Sequence, residues 1–138
     1  MMNTPIRIST QVYADMDIVW EAYNDPQHVK KWHKASDAWI CPHSQSIFRE
    51  WGGFTHTMEL RDGDVHVDFE WTYTEIVERE LIAYSLNDER QVQVRFNNEE
   101  SFAQVIIDFE ADSKNDPKAQ EQLWKAILDS FARYAESL

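Results

Sequence analysis

From Pro117 to Glu136, Leu123, Trp124, Ile127, Leu128, Phe131, Tyr134 and Ala135 recur at the intervals of one helix face, and Leu138 extends the set. Asp116 ahead of them suits an N-cap, and Pro117 the first helical position. The predicted helix is 20 residues long, roughly 30 Å at 1.5 Å per residue. A stripe of that length has to be buried, and the remaining helical segments are too short to do it. The cover must be a sheet with one apolar face.

That sheet is legible upstream. Ile6, Ile8, Thr10 and Val12 alternate with polar residues, as in a half-buried strand. Phe54, His56, Met58 and Leu60 share one face of the next, and Asp62-Gly63 marks a hairpin turn. Val65, Val67, Phe69, Trp71 and Tyr73 then alternate with His66, Asp68, Glu70 and Thr72. Further strands are predicted at Leu81–Leu86, around Val92, Val94 and Phe96, and around Phe102–Phe109, joined by short polar turns. Between the first strand and this meander, Asp15 is placed to cap a short helix carrying Ile18, Val19, Ala22 and Tyr23. Asp25-Pro26 opens a second, ending near Trp32 or His33. Residues from Lys34 to Ser46 show no period and are read as a loop. The expected architecture is an α+β helix-grip: a curved antiparallel sheet wrapped around one long C-terminal helix, with two short helices after the first strand. No linker, repeat or composition shift divides the chain, so 1–138 is read as one domain.

Composition narrows the partners. With 25 acidic and 13 basic residues the formal net charge is −12, which repels phosphate backbones and anionic lipids, so neither nucleic acid nor a membrane is expected. One cysteine, Cys41, forms no internal disulfide, and the segment Met1-Met-Asn-Thr-Pro-Ile-Arg7 has no leader-like apolar core. A cytoplasmic setting is expected. Six Trp and seven Phe are many for this length, and rings of that kind either fill a core or line a pocket.

The stretch Val19-Trp20, Asp25-Pro26, Lys31-Trp32, Ala35-Ser36-Asp37-Ala38-Trp39 and Cys41-Pro42 resembles the START-like superfamily. More closely it resembles the branch called activator of heat-shock protein 90 ATPase homologues. Gly52-Gly53-Phe54, Met58-Glu59, Phe69-Glu70, Thr72-Tyr73-Thr74-Glu75 and Gln122-Leu-Trp124 through Phe131 continue the likeness over essentially the whole chain. The resemblance implies the helix-grip fold but little about activity. Members of the superfamily bind lipids, hormones or polyketides and a few are cyclases, whereas the co-chaperone contacts a protein. The branch often has Gly where this chain has Trp71, and an apolar or aromatic residue where it has His56. Both departures, if directed inward, make a smaller and more polar cavity.

Residue chemistry points to binding more than to catalysis. His28, His33, Asp37, Cys41 and His43 are close in sequence, but His28 and His33 stand about 140° apart on a helix. Cys41-Pro42-His43 is no zinc spacing, so no metal and no cofactor are expected. Cys41 is a nucleophile only with an imidazole beside it, and nothing in the sequence orients His43 for that. His56 falls on the apolar face, where a buried imidazole needs a partner; Tyr73, Tyr84 or Glu75 is the expected one. The expected ligand-binding set is Trp32, Trp39, His56, Met58, Phe69, Trp71, Phe96 and Trp124, with the loop between Trp32 and Trp39 as a lid. It suits an apolar small molecule. The alternatives are a chaperone-like protein-interaction module and, third, a cyclase- or hydrolase-type enzyme using His56 as acid or base.

Overall fold

The computed structural model describes residues 5–63 and 65–138. The first four residues of the N-terminal segment read above, and position 64 after the Asp62-Gly63 turn, lie outside them. Seven strands and three helices follow one another as β1 (Ile6–Val12), α1 (Met16–Asn24), α2 (Pro26–Trp32), β2 (Trp39–Ser46), β3 (Gly53–Leu60), β4 (His66–Val77), β5 (Leu81–Leu86), β6 (Gln91–Asn98), β7 (Ala103–Phe109) and α3 (Pro117–Glu136). The strands form one antiparallel sheet in the order β1-β7-β6-β5-β4-β3-β2. Its concave face grips α3, which is the helix-grip arrangement expected. No described helix is long and apolar enough to cross a membrane.

The core sits between sheet and helix. Val12, Val19, Val94, Phe109, Phe131 and Ala135 are completely buried, drawn from β1, α1, β6, β7 and α3. Alternation along β6 and β7 sends Val92, Val94, Phe96, Val105 and Ile107 inward. Asp25 serves α2 as its N-cap, accepting from the Gln27 amide at 2.9 Å, and Asp116 does the same for α3 from Lys118. Asp15 occupies the N-cap of α1, but its side chain makes no capping bond.

The segment expected to be a loop contains β2. Its register against β3 shifts between Ile40 and His43, and that bulge erases the two-residue period. Pro42, which donates no ladder bond, is tolerated because β2 is an edge strand. A second bulge, between Tyr73 and Glu75 in the pairing with β5, turns Ile76 inward and leaves Glu75 exposed. After Ser46 the chain makes a tight loop in which Ile47 N donates to Gly53 O at 2.8 Å and Gly52 N donates to Arg49 O at 2.8 Å. A Cβ on Gly52 would lie 2.0 Å from Ile47 O, so this approach needs glycine. The same loop holds Trp51 at φ 68° with its ring 76% exposed.

Candidate ligand cavity

Rings project from the inner faces of β3, β4 and β5, and their registers align them. Phe54 faces Trp71 across β3–β4, and Tyr73 faces Tyr84 across β4–β5. Trp71 consequently lies between two stacking partners, Phe54 at 4.0 Å and 5° and Tyr84 at 4.7 Å and 22°. Trp124 of α3 lies flat on Phe109 at 4.0 Å and 6°. Rings stacked along the walls do not occupy the middle, and a cavity of about 650 Å³ remains between sheet and helix. Tyr23, Val29 and Trp32 of the short helices close one end, while Ile127 and Leu128 form the roof. At the other end Val67, Asp68, Glu70, Asn87, Arg90 and Asp112 surround a mouth.

Of the expected binding set, Trp32, Phe69, Trp71 and Trp124 line this space. Trp39, His56, Met58 and Phe96 are not among its lining residues. Trp39 starts β2 opposite Leu60, one edge away from the concavity. Met58 is buried, and Phe96 is enclosed by Trp20 at 5.0 Å and Tyr23 at 5.5 Å. Trp32 is a wall and no lid anchor: it is buried and its indole donates to Ala22 O at 2.8 Å. No residue from 34 to 53 lines the cavity, so the expected lid lies elsewhere than the mouth. Sequence reading missed Tyr23, His33, Tyr73 and Tyr84 as lining groups. The inward alternation of Ile82 and Tyr84 was the available signal for the last.

His56 is buried as expected, with different neighbours. Its Nδ1 lies 3.3 Å from Cys41 Sγ and its ring 4.2 Å from that of His33. The β2 bulge makes this possible by bringing Cys41 to the imidazole, while Tyr73 and Tyr84 belong to the neighbouring ring stack. Burial, with His33 and His43 adding to it, lowers the His56 pKa to about 2. Burial lowers that of His33 to about 4 and raises that of the Cys41 thiol. At neutral pH this is a thiol beside two uncharged imidazoles, so the pair is neither a thiolate nor an imidazolium.

The cavity wall is uncharged in the same way. Burial raises Tyr84 well above its ordinary value, raises Tyr23, and lifts Tyr73 to about 12. Two lining residues hold buried polar atoms without a hydrogen-bond partner, Trp71 Nε1 and His33 Nδ1. Such atoms cost free energy unless something pairs with them. Among the described residues one group has the proximity to hold an ion: Glu21, Asp25 and His28, with ligand atoms within 4.8 Å of one another. None of the three lines the cavity. Asp25 is already the α2 cap, and His28 Nδ1 lies 2.5 Å from the Tyr134 hydroxyl.

Residues 13–136 match the family described as activator of Hsp90 ATPase homolog 1-like protein. Among solved structures, the AHSA1-like protein from Aeromonas hydrophila is 31% identical, with 96% of this chain and 93% of that one covered and a TM-score of 0.89. Chr148 from Cytophaga hutchinsonii is 32% identical over 98% and 94% of the two chains, TM-score 0.83. Protein CV1439 from Chromobacterium violaceum, 20% identical over 97% and 99% with a TM-score of 0.86, shares the fold. No curated protein matches the chain.

Proposed function

Because the chain belongs to the activator of Hsp90 ATPase homolog 1-like family, whose fold hosts varied roles, we propose on the cavity's own chemistry that this protein binds an apolar, uncharged small molecule between the sheet and α3. The observation that carries this is the 650 Å³ space left open by rings that stack on the walls. That volume falls within the roughly 300–1,000 Å³ of ordinary ligand sites. A flat ligand bearing one acceptor oxygen fits best, since the Trp71 indole N–H is buried and unpaired. Turnover is not part of this reading, because His56 is outside the lining and has no acid to offer near neutrality.

The test is fluorescence titration with the neutral dye N-phenyl-1-naphthylamine, alongside native mass spectrometry of protein purified gently from its own cells. Saturable one-to-one uptake, abolished by Ile127→Trp with the fold intact, supports the reading. Unsaturable binding, or equal binding by that variant, sinks it. One observation favours a second reading, a protein-contact module: Trp51 and Ile47, 76% and 55% exposed, project from a loop closed by its own backbone bonds. Exposed rings on rigid backbone are common anchors of protein interfaces.

A further inference from the structure

The mouth of the cavity contains an open sheet edge. β4 begins at His66 and pairs with β3 from its start, whereas its pairing with β5 begins only at Trp71 opposite Leu86. Among the described residues, no strand lies on the other side of residues 66–70. Five residues span about 16 Å of strand.

The direction of the free groups follows from the ladder. Val65 O accepts from Leu60 N at 2.9 Å, Tyr73 N donates to Gly52 O at 3.0 Å, and Tyr73 O accepts from Trp51 N at 2.7 Å. Odd-numbered residues of this stretch therefore bond toward β3. In an antiparallel ladder the even ones then point the opposite way, so the backbone N–H and C=O groups of His66, Asp68 and Glu70 face the mouth. Side chains alternate independently: Phe69 and Trp71 enter the cavity, and by the same two-residue period the side chains of Asp68 and Glu70, exposed residues that border the mouth, point to the outer face.

We infer that this edge binds an extended segment of a partner polypeptide, basic on one face and apolar on the other, added antiparallel to β4 in line with β5. Residues of the segment that exchange backbone bonds with Asp68 and Glu70 lie directly across from them on the outer face, where lysine or arginine complements the two carboxylates. The alternate residues point inward over the mouth, onto Phe69 and Val67, the latter 40% exposed. Charge selects this occupant over a second copy of the chain, since two such edges would bring Asp68 and Glu70 against each other. The mouth's cation, Arg90, is held by Asp88 at 2.7 Å, and Asp112 adds a further carboxylate to the rim. This site does not require a small molecule in the cavity.

The probe is a fluorescein-labelled peptide alternating lysine with valine and tryptophan, followed by fluorescence anisotropy with the whole protein. Two isomers carry backbone N-methyl groups on the lysine amides or on the apolar-residue amides. Strand addition predicts at least a tenfold weaker Kd for the first and less than a twofold change for the second. Asp68→Pro removes an edge N–H and keeps the backbone ladder to β3, losing on that side only the Thr57 hydroxyl's bond to the Asp68 carboxylate. It is expected to weaken the peptide tenfold while thermal unfolding shows the fold retained. Absence of binding, equal effects of the two methylation patterns, or binding undiminished in a folded Asp68→Pro protein each overturns the inference. Dye uptake by the cavity is read separately, so the two readings fail independently. A concentration-dependent dimer in sedimentation that the peptide does not dissociate would assign the edge to a second copy and equally overturn it.

Discussion

Trp71 supports the sheet's inner face and bounds the cavity, so its truncation tests both descriptions at once. Trp71→Ala removes two stacked contacts, with Phe54 at 4.0 Å and Tyr84 at 4.7 Å, each worth about 0.5–1.5 kcal/mol beyond burial. Core Trp→Ala changes cost roughly 3–5 kcal/mol. The lower end applies, because part of the indole already borders open space and truncation also removes an unpaired N–H. We expect a loss of about 3 kcal/mol, read as a shift in the urea midpoint at unchanged slope. That corresponds to about 10 °C in Tm for a domain of this size. Trp71→Phe keeps a ring in the stack and deletes the orphan donor, so its loss should stay below about 1 kcal/mol. Dye titration on the same proteins should show Trp71→Ala accepting a probe larger than N-phenyl-1-naphthylamine that the parent excludes. Trp71→Ala within about 1 kcal/mol of the parent, or Trp71→Phe as damaging as Trp71→Ala, would contradict a stacked, space-bounding role for this indole.

Two further predictions concern the supporting structure. Gly52→Ala forces a Cβ to within 2.0 Å of the Ile47 carbonyl; we expect it to lower Tm more than Gly53→Ala, whose Cβ would stand 3.9 Å from Trp71 O in ordinary contact, and similar melting curves would contradict the close approach at Gly52. The imidazoles make stability pH-dependent with a definite sign. Both ordinarily titrate near 6.5, and in the fold His33 does so at about 4 and His56 at about 2. The unfolded chain therefore binds more protons below 6.5, so the full contribution is present above that pH. It is lost as the pH falls toward 4, with His56 alone still contributing below. Each group supplies a slope of at most about 1.4 kcal/mol per pH unit. His56→Phe should flatten the urea-midpoint profile between pH 6 and pH 4, and an unchanged slope would contradict the burial assigned to it.

Most of the fold was legible because most of its elements keep one period throughout. The α3 stripe from Trp124 to Ala135, and the alternation of β3, of β4 as far as Tyr73 and of β6, placed their residues on the correct side, while Leu123 and Leu138 of the stripe are half-exposed and the bulge after Tyr73 ends the β4 period. β2 was illegible because its bulge between Ile40 and His43 breaks that period and Pro42 resembles loop punctuation. The site was less legible for a related reason. Alternation identifies the side of the sheet a residue faces, but not how far along the groove packing is complete. Met58 and Phe96 face inward as expected and are absorbed by the core, while Trp71, on the same face, borders space. The partner of His56 depended on the bulge, since only that irregularity brings Cys41 to the imidazole. The mouth depended on where β5 stops relative to β4, a matter of register.

The strand order also sets a timetable. β1 pairs with β7, Ile6 opposite Phe109 and Val12 opposite Ala103, and the Arg7–Asp108 ion pair links positions 101 residues apart. A chain emerging from the ribosome can build the hairpins of β2 through β7 as they appear, but β1 has no neighbour until β7 is out. For that interval Ile6, Ile8 and Val12 form an unpaired strand beside a growing sheet whose matching edge has not been made. Closing so large a loop is slow relative to hairpin formation, and unpaired apolar strands aggregate in that time. β1, made before every other strand of its sheet, is thus among the last to be paired, and chaperone dependence in synthesis should track β1 rather than the cavity.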